Sequence, residues 1–219
     1  MTAAAGGDDR PQPAPVAPQG DDHAGRPAAV CPAVLDEQVT VVTATQMRDL
    51  GERLSGLLRA GDLVVLSGPL GAGKTTLAQG IGAGLGVRGQ VTSPTFVIAR
   101  VHPSLGAGPD LVHADAYRLG SRAEVDDLDL DADLATAVTV VEWGAGLVED
   151  LADSFLSVAI ELGAGRTEAA EAQAGPRTVR VTGSGDRWQQ PESVAAAQQA
   201  MTALAAQGPD CPAHHTSYN

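Results

Sequence analysis

An α/β fold with a mainly parallel central sheet flanked by helices is what this 219-residue sequence predicts, and three observations carry the expectation. Leu63–Leu66 is a continuous apolar run and Ala137–Val141 is apolar but for Thr139, as expected of strands covered by helices on both faces. Apolar residues between such runs recur at three- and four-residue steps, the period of a helix face. A glycine-rich turn joins one buried run directly to one helix, which is the strand–turn–helix order of a layered α/β domain.

Taken in order, VTVV at 39–42 suits a short strand, and Thr43-Ala-Thr-Gln46 has the Thr-x-x-Gln form of a capping box that starts a helix. Met47, Leu50, Leu54, Leu57 and Leu58 supply its apolar face, and Ala60-Gly61-Asp62 stops it. Leu63–Leu66 is the first buried strand. A second helix carries Leu77, Ile81 and Leu85 and ends near Gly86. Phe96–Val101 and Leu111–His113 read as strands separated by a Pro/Gly loop, and Ala137–Val141, Phe155–Leu162 and Thr178–Val181 complete the set. Residues 163–176 read as a loop insertion.

The ends differ in composition. Residues 1–35 are rich in Pro, Ala and Gly without a bulky apolar period, so they read as a disordered tail that cannot offset the entropy of ordering. The folded domain is expected over 36–182. Residues 183–219 read as a mostly flexible extension with a helix at 193–206. Four aspartates in the first 22 residues argue against a mitochondrial leader, and no run approaches the roughly 20 apolar residues of a membrane span. A cytoplasmic protein is expected, without membrane contact. Cys31 and Cys211 have no metal-binding or redox spacing.

The formal net charge of −13 disfavours broad attraction to nucleic-acid backbones. Of the 14 basic side chains a single one is lysine, Lys74. It falls in Gly68-Pro-Leu-Gly-Ala-Gly73-Lys74-Thr75, which satisfies G-x-x-x-x-G-K-[ST] between a predicted strand and a predicted helix. Such a P-loop cradles phosphates with backbone N–H groups and the positive end of the helix. Gly68, Leu70, Gly71, Ala72, Gly73, Lys74, Thr75 and Thr76 are therefore the expected nucleotide-binding residues. Lys74 would bridge the β- and γ-phosphates, and Thr75 would place its hydroxyl on magnesium.

A second oxygen donor for magnesium and a group that orients the attacking water should stand on the same sheet edge. Glu142 follows the run 137–141, and Asp115 follows 111–113, so both are expected at the carboxyl ends of strands, where ligands of open α/β sheets collect. Acidic residues 124–133 do not match a calcium loop and read as a solvated face.

After the P-loop come Thr92-Ser-Pro-Thr-Phe96, His113-Ala-Asp-Ala-Tyr-Arg-Leu119 and Val141-Glu-Trp-Gly144, in that order. Together with the P-loop they make residues 38–162 closely resemble the TsaE (YjeE) family, the bacterial ATPase component of the machinery that makes threonylcarbamoyladenosine in tRNA. The resemblance implies a weak, magnesium-dependent ATPase acting with two partner proteins, TsaB and TsaD, with tRNA engaged only indirectly. It implies catalytic roles for Lys74, Asp115 and Glu142, magnesium ligation by Thr75, Glu142 and Asp115, and a nucleotide-side role for Trp143, either stacking near the base or shielding the site. By the same resemblance, TSPTF is a switch loop in which Thr95 or Ser93 offers a hydroxyl near the metal. His113 reads as a packed strand residue, since no second His or Cys is spaced to join it. Pro69 departs from the family pattern, which commonly has an acidic residue there.

Two other readings share the cradle. A small-molecule kinase needs a lid, commonly arginine-rich, and residues 101–137 offer only Arg118 and Arg122. A GTP switch needs a guanine-reading NKxD-type motif, which a chain whose single lysine lies in the P-loop lacks. Arg118 reads equally as exposed or catalytic.

Overall fold

A computed structural model describes residues 35–94, 98–119, 121–126, 134–163 and 175–206. The strands are β1 (Leu35–Val41), β2 (Leu63–Ser67), β3 (Ala99–His102), β4 (Asp110–Asp115), β5 (Ala137–Glu142), β6 (Phe155–Leu162) and β7 (Arg177–Ser184). They form one sheet in the order β1-β7-β6-β2-β5-β4-β3. The central set β6, β2, β5 and β4 is parallel, and the outer pairings β1–β7, β7–β6 and β4–β3 are antiparallel. The parallel strands β2, β5 and β4 bring their carboxyl ends to the site.

The helices are α1 (Ala44–Ser55), α2 (Lys74–Leu85), α3 (Arg122–Asp126), α4 (Asp186–Gln189) and α5 (Pro191–Ala205). Helix α1 begins as its sequence predicts: the Thr43 hydroxyl accepts from the Gln46 N–H at 3.1 Å while the Gln46 side chain accepts from the Thr43 N–H. Helix α2 ends at Gly86 in the left-handed conformation, its N–H closing onto the last turn.

Strand β2 shows why its run is apolar throughout. Val64 and Leu66 belong to one core cluster, with α1, α2 and α5, whereas Leu63 and Val65 belong to another with Val112, Val125 and Val141. Alternate side chains enter opposite faces, and both faces are covered.

Helices α1 and α2 approach so closely that only glycine fits between them. A Cβ on Gly80 would lie 2.1 Å from the Arg48 carbonyl oxygen, and one on Gly51 would lie 2.3 Å from that of Leu77. This contact fixes α1 against the helix that starts in the P-loop.

The packed chain continues past the 182 boundary that composition suggested. Trp188 is fully buried, and Ala197, Met201 and Leu204 of α5 join the larger core cluster. The Arg187 guanidinium lies 4.4 Å from the Trp188 ring and donates to the Leu57 carbonyl at 2.7 Å, tying α4 to the turn after α1. Residues 1–34, 164–174 and 207–219 lie outside the described residues, and so does the first part of the strand expected at 96–101. Among the described residues no helix is long and apolar enough to cross a membrane.

Candidate active site

Strand pairing brings the site together. In the parallel register Leu66 pairs with Glu142 and Asp115 pairs with Glu142, so the ends of β2, β5 and β4 meet at one edge. The turn from β2 into α2 rises beside them. Gly68 has φ of 138°, and a Cβ there would stand 2.4 Å from the Ile160 carbonyl oxygen. Any other side chain would clash with β6 and strain the backbone, so the loop requires glycine at this point.

Lys74 opens α2 and is buried. Its Nζ donates to the carbonyls of Gly68 at 2.8 Å and Pro69 at 3.0 Å and lies 3.7 Å from the centroid of the Trp143 ring. Desolvation by burial holds this amine below the usual lysine range, while the carboxylates of Glu142 and Asp115 pull it back up. The Thr75 hydroxyl donates to Glu142 Oε1 at 2.8 Å and lies 3.1 Å from Oε2. On the other side of that carboxylate, His113 Nε2 lies 3.0 Å from the same Oε1. His113 is fully buried, and its Nδ1 has no hydrogen-bond partner among the described residues.

Asp115 accepts from the Tyr117 N–H at 2.9 Å and faces the Ser93 hydroxyl at 3.4 Å. Two non-glycine residues border the site with positive φ: Trp143 at 62° and Ile98 at 72°. Each is anchored by the backbone, since Trp143 N–H donates to Leu66 and Asp115 N–H donates to Ile98. Such conformations cost about 1–3 kcal/mol and collect where a site over-determines the chain. The strain at Trp143 turns its ring over the P-loop, where Tyr117 meets it at 5.1 Å between centroids.

Lys74, Thr75, Asp115, Glu142 and Trp143 line one cavity of about 330 Å³, within the range of small-ligand sites. Leu70, Gly71, Gly73, Lys74, Thr75, Thr76, Asp115, Glu142 and Trp143, all expected from sequence, line it, together with Ser93. Gly68 and Ala72 do not. The Gly68 carbonyl is turned to Lys74, while Ala72 is fully buried with its N–H on the Pro69 carbonyl. Thr95 lies outside the described residues, and Arg118 is exposed and does not line the cavity. Three lining residues had no local signal in the sequence: Ala44 and Met47 of α1, and Arg177 of β7. His113 also acquires a partner that its own strand pattern did not reveal, because that partner sits on the next strand.

Thr75 and the carboxylates of Glu142 and Asp115 offer oxygens of the kind a hard cation takes.

A sequence model of the family described as threonylcarbamoyl adenosine biosynthesis protein TsaE matches residues 41–173. The chain is 64% identical over 143 residues to a tRNA threonylcarbamoyladenosine biosynthesis protein TsaE of Streptomyces coelicolor, covering 65% of this chain and 93% of that protein. It is 52% identical over 136 residues to the protein of the same description from Mycobacterium leprae, covering 59% and 81%. Among solved structures, that of Bacillus subtilis YdiB matches with a TM-score of 0.52 at 25% identity, over 78% of this chain and 95% of that one. The fold is that of P-loop NTPases.

Proposed function

This chain belongs to the TsaE family of tRNA threonylcarbamoyladenosine biosynthesis proteins, and from that premise we propose that it binds ATP with magnesium and hydrolyses it slowly until partner proteins engage it. The observation that carries this reading is the Thr75–Glu142 contact at 2.8 Å, a hydroxyl and a carboxylate held together at the mouth of the P-loop. Both are oxygen donors of the kind magnesium takes beside β- and γ-phosphates.

In this reading the triphosphate takes over Lys74 from the Gly68 and Pro69 carbonyls. Thr75 with Glu142 or Asp115 would hold magnesium, which would supply charge neutralisation on the phosphates. Glu142 and Asp115 are the groups near enough to orient an attacking water and accept its proton. Trp143 shields that end of the cavity. Hydrolysis is slow in isolation because a charge-stabilising group comes from a partner. A group supplied in trans is worth about 10³–10⁵ in rate for this chemistry. The expected partners are TsaB and TsaD, in the cytoplasm, with tRNA reached only through them.

The test is phosphate release from magnesium-ATP by the purified chain, alone and with a TsaB–TsaD pair, with Glu142→Ala as the blank. Slow release that rises with the pair and vanishes in the blank is the expected result. Release indifferent to both would leave the kinase reading, which transfer of the γ-phosphate to a metabolite would then test.

A further inference from the structure

The cavity has two chemically different ends. At one end stand the carboxylates of Asp115 and Glu142 with the Thr75 hydroxyl. The P-loop occupies the middle. Ala44, Met47 and Arg177 come from α1 and β7, and β7 lies on the side of β2 away from β5 and β4, which places Arg177 at the other end.

Arg177 reaches this place through long-range pairing. It stands opposite Val41 of β1 and Leu162 of β6, and Val41 leads within three residues to Ala44 at the start of α1. Its Nη1 donates to the Gly175 carbonyl at 3.2 Å, which holds the guanidinium at the near end of β7. Met47 is buried with its terminal methyl 3.3 Å from where a Cβ of Gly73 would be, so α1 abuts the P-loop itself. Residue 177 lies beyond the end of the family match at 173.

We propose that Arg177 is the nucleoside-end contact of the cavity, a binding residue whose guanidinium plane stacks on the purine base. The proposal rests on the nucleotide-binding reading and deepens it. A triphosphate whose terminal phosphate meets the acidic, metal-holding end must place its nucleoside at the opposite end. There the lining is an arginine, a thioether and a methyl group rather than a second set of phosphate-binding amides. A guanidinium stacks on aromatic faces as well as carrying charge, and methionine adapts to flat, polarisable partners. Stacking is blind to the edge of the base. An arginine reading the base edge would instead favour guanine, which presents two acceptors where adenine presents an acceptor and a donor.

The test compares binding of magnesium-ATP, magnesium-GTP and magnesium tripolyphosphate to the full chain, to Arg177→Ala and to Arg177→Lys, by calorimetric titration. Arg177→Ala should weaken ATP and GTP alike by about ten-fold while changing tripolyphosphate by less than about two-fold, and Arg177→Lys should recover only part of the loss. Unchanged tripolyphosphate binding also shows that the P-loop of the variant is folded. Equal losses for all three ligands would assign Arg177 to a phosphate and overturn the proposal. So would no loss for any, a loss confined to GTP, or full recovery by lysine. Failure of the unsubstituted chain to bind any of the three would overturn the nucleotide reading itself.

Discussion

His113 Nε2 and Glu142 Oε1 meet at 3.0 Å in the interior of the sheet, and the same oxygen accepts the Thr75 hydroxyl from the opposite side at 2.8 Å. The carboxylate is therefore gripped between a strand residue behind it and a P-loop residue in front. Removing the rear support by His113→Leu should lower turnover by about 10- to 100-fold, the usual penalty for a misplaced reacting group. KM for ATP should move much less, because no phosphate-binding group is touched. His113→Gln, which restores a donor near the carboxylate, should recover part of the loss. Steady-state kinetics of both variants checks this.

Lys74→Ala and Glu142→Ala should separate binding from chemistry. The first removes the amine from the phosphate cradle and should weaken magnesium-ATP binding. The second should leave binding near its original strength while reducing turnover by about 10²–10⁴-fold, the range for losing a positioned acid–base group. Calorimetry paired with phosphate release distinguishes the two patterns.

Lys74 also makes a signed prediction about pH. Its amine is held below the unfolded lysine value by burial, so between the lowered folded value and the unfolded one the unfolded chain binds more protons. Stability of the ligand-free protein, relative to Lys74→Met, should therefore rise as pH increases through that window, the cost of the buried charge being fully present below it. Affinity for the triphosphate should move the other way and fall, since the anion binds the charged amine. Thermal melts of the two proteins across alkaline pH, alongside ATP titrations, check both signs.

The glycine contact between the two long helices predicts a stability loss remote from the chemistry. Gly80→Ala would put a methyl group 2.1 Å from the Arg48 carbonyl oxygen. Since backbone lies on the receiving side, α1 must shift, at a cost of about 1–3 kcal/mol. That shift carries Met47 away from Gly73. Chemical denaturation should show the loss, and ATP binding should weaken with it.

The parts legible in the sequence are those whose determinants are local. The capping box at Thr43, the helix stop near Gly86 and the glycine-rich turn into α2 each put their whole physical cause within a few residues, and the structure realises each of them. Asp115 and Glu142 were legible as strand-end carboxylates because apolar runs announce where strands end. His113 was legible only as a buried residue, since its partner lies across the β4–β5 register. Trp188 and Arg177 left no local trace. Trp188 stands in a short polar stretch without a period, and Arg177 enters the cavity only because β7 runs antiparallel beside β1.

Strand order has a practical consequence for anyone trimming this protein. Strand β7 lies between β1 and β6, yet it begins after residue 173, where the family match stops. A chain cut after residue 173 would strand β1 without its neighbour and leave β6 with an open hydrogen-bonding flank, an invitation to pair with other molecules. The helix that buries Met201 and Leu204 would go with it. Soluble truncations should therefore keep everything through Ala205, and a protein cut at 173 should be recovered as aggregate.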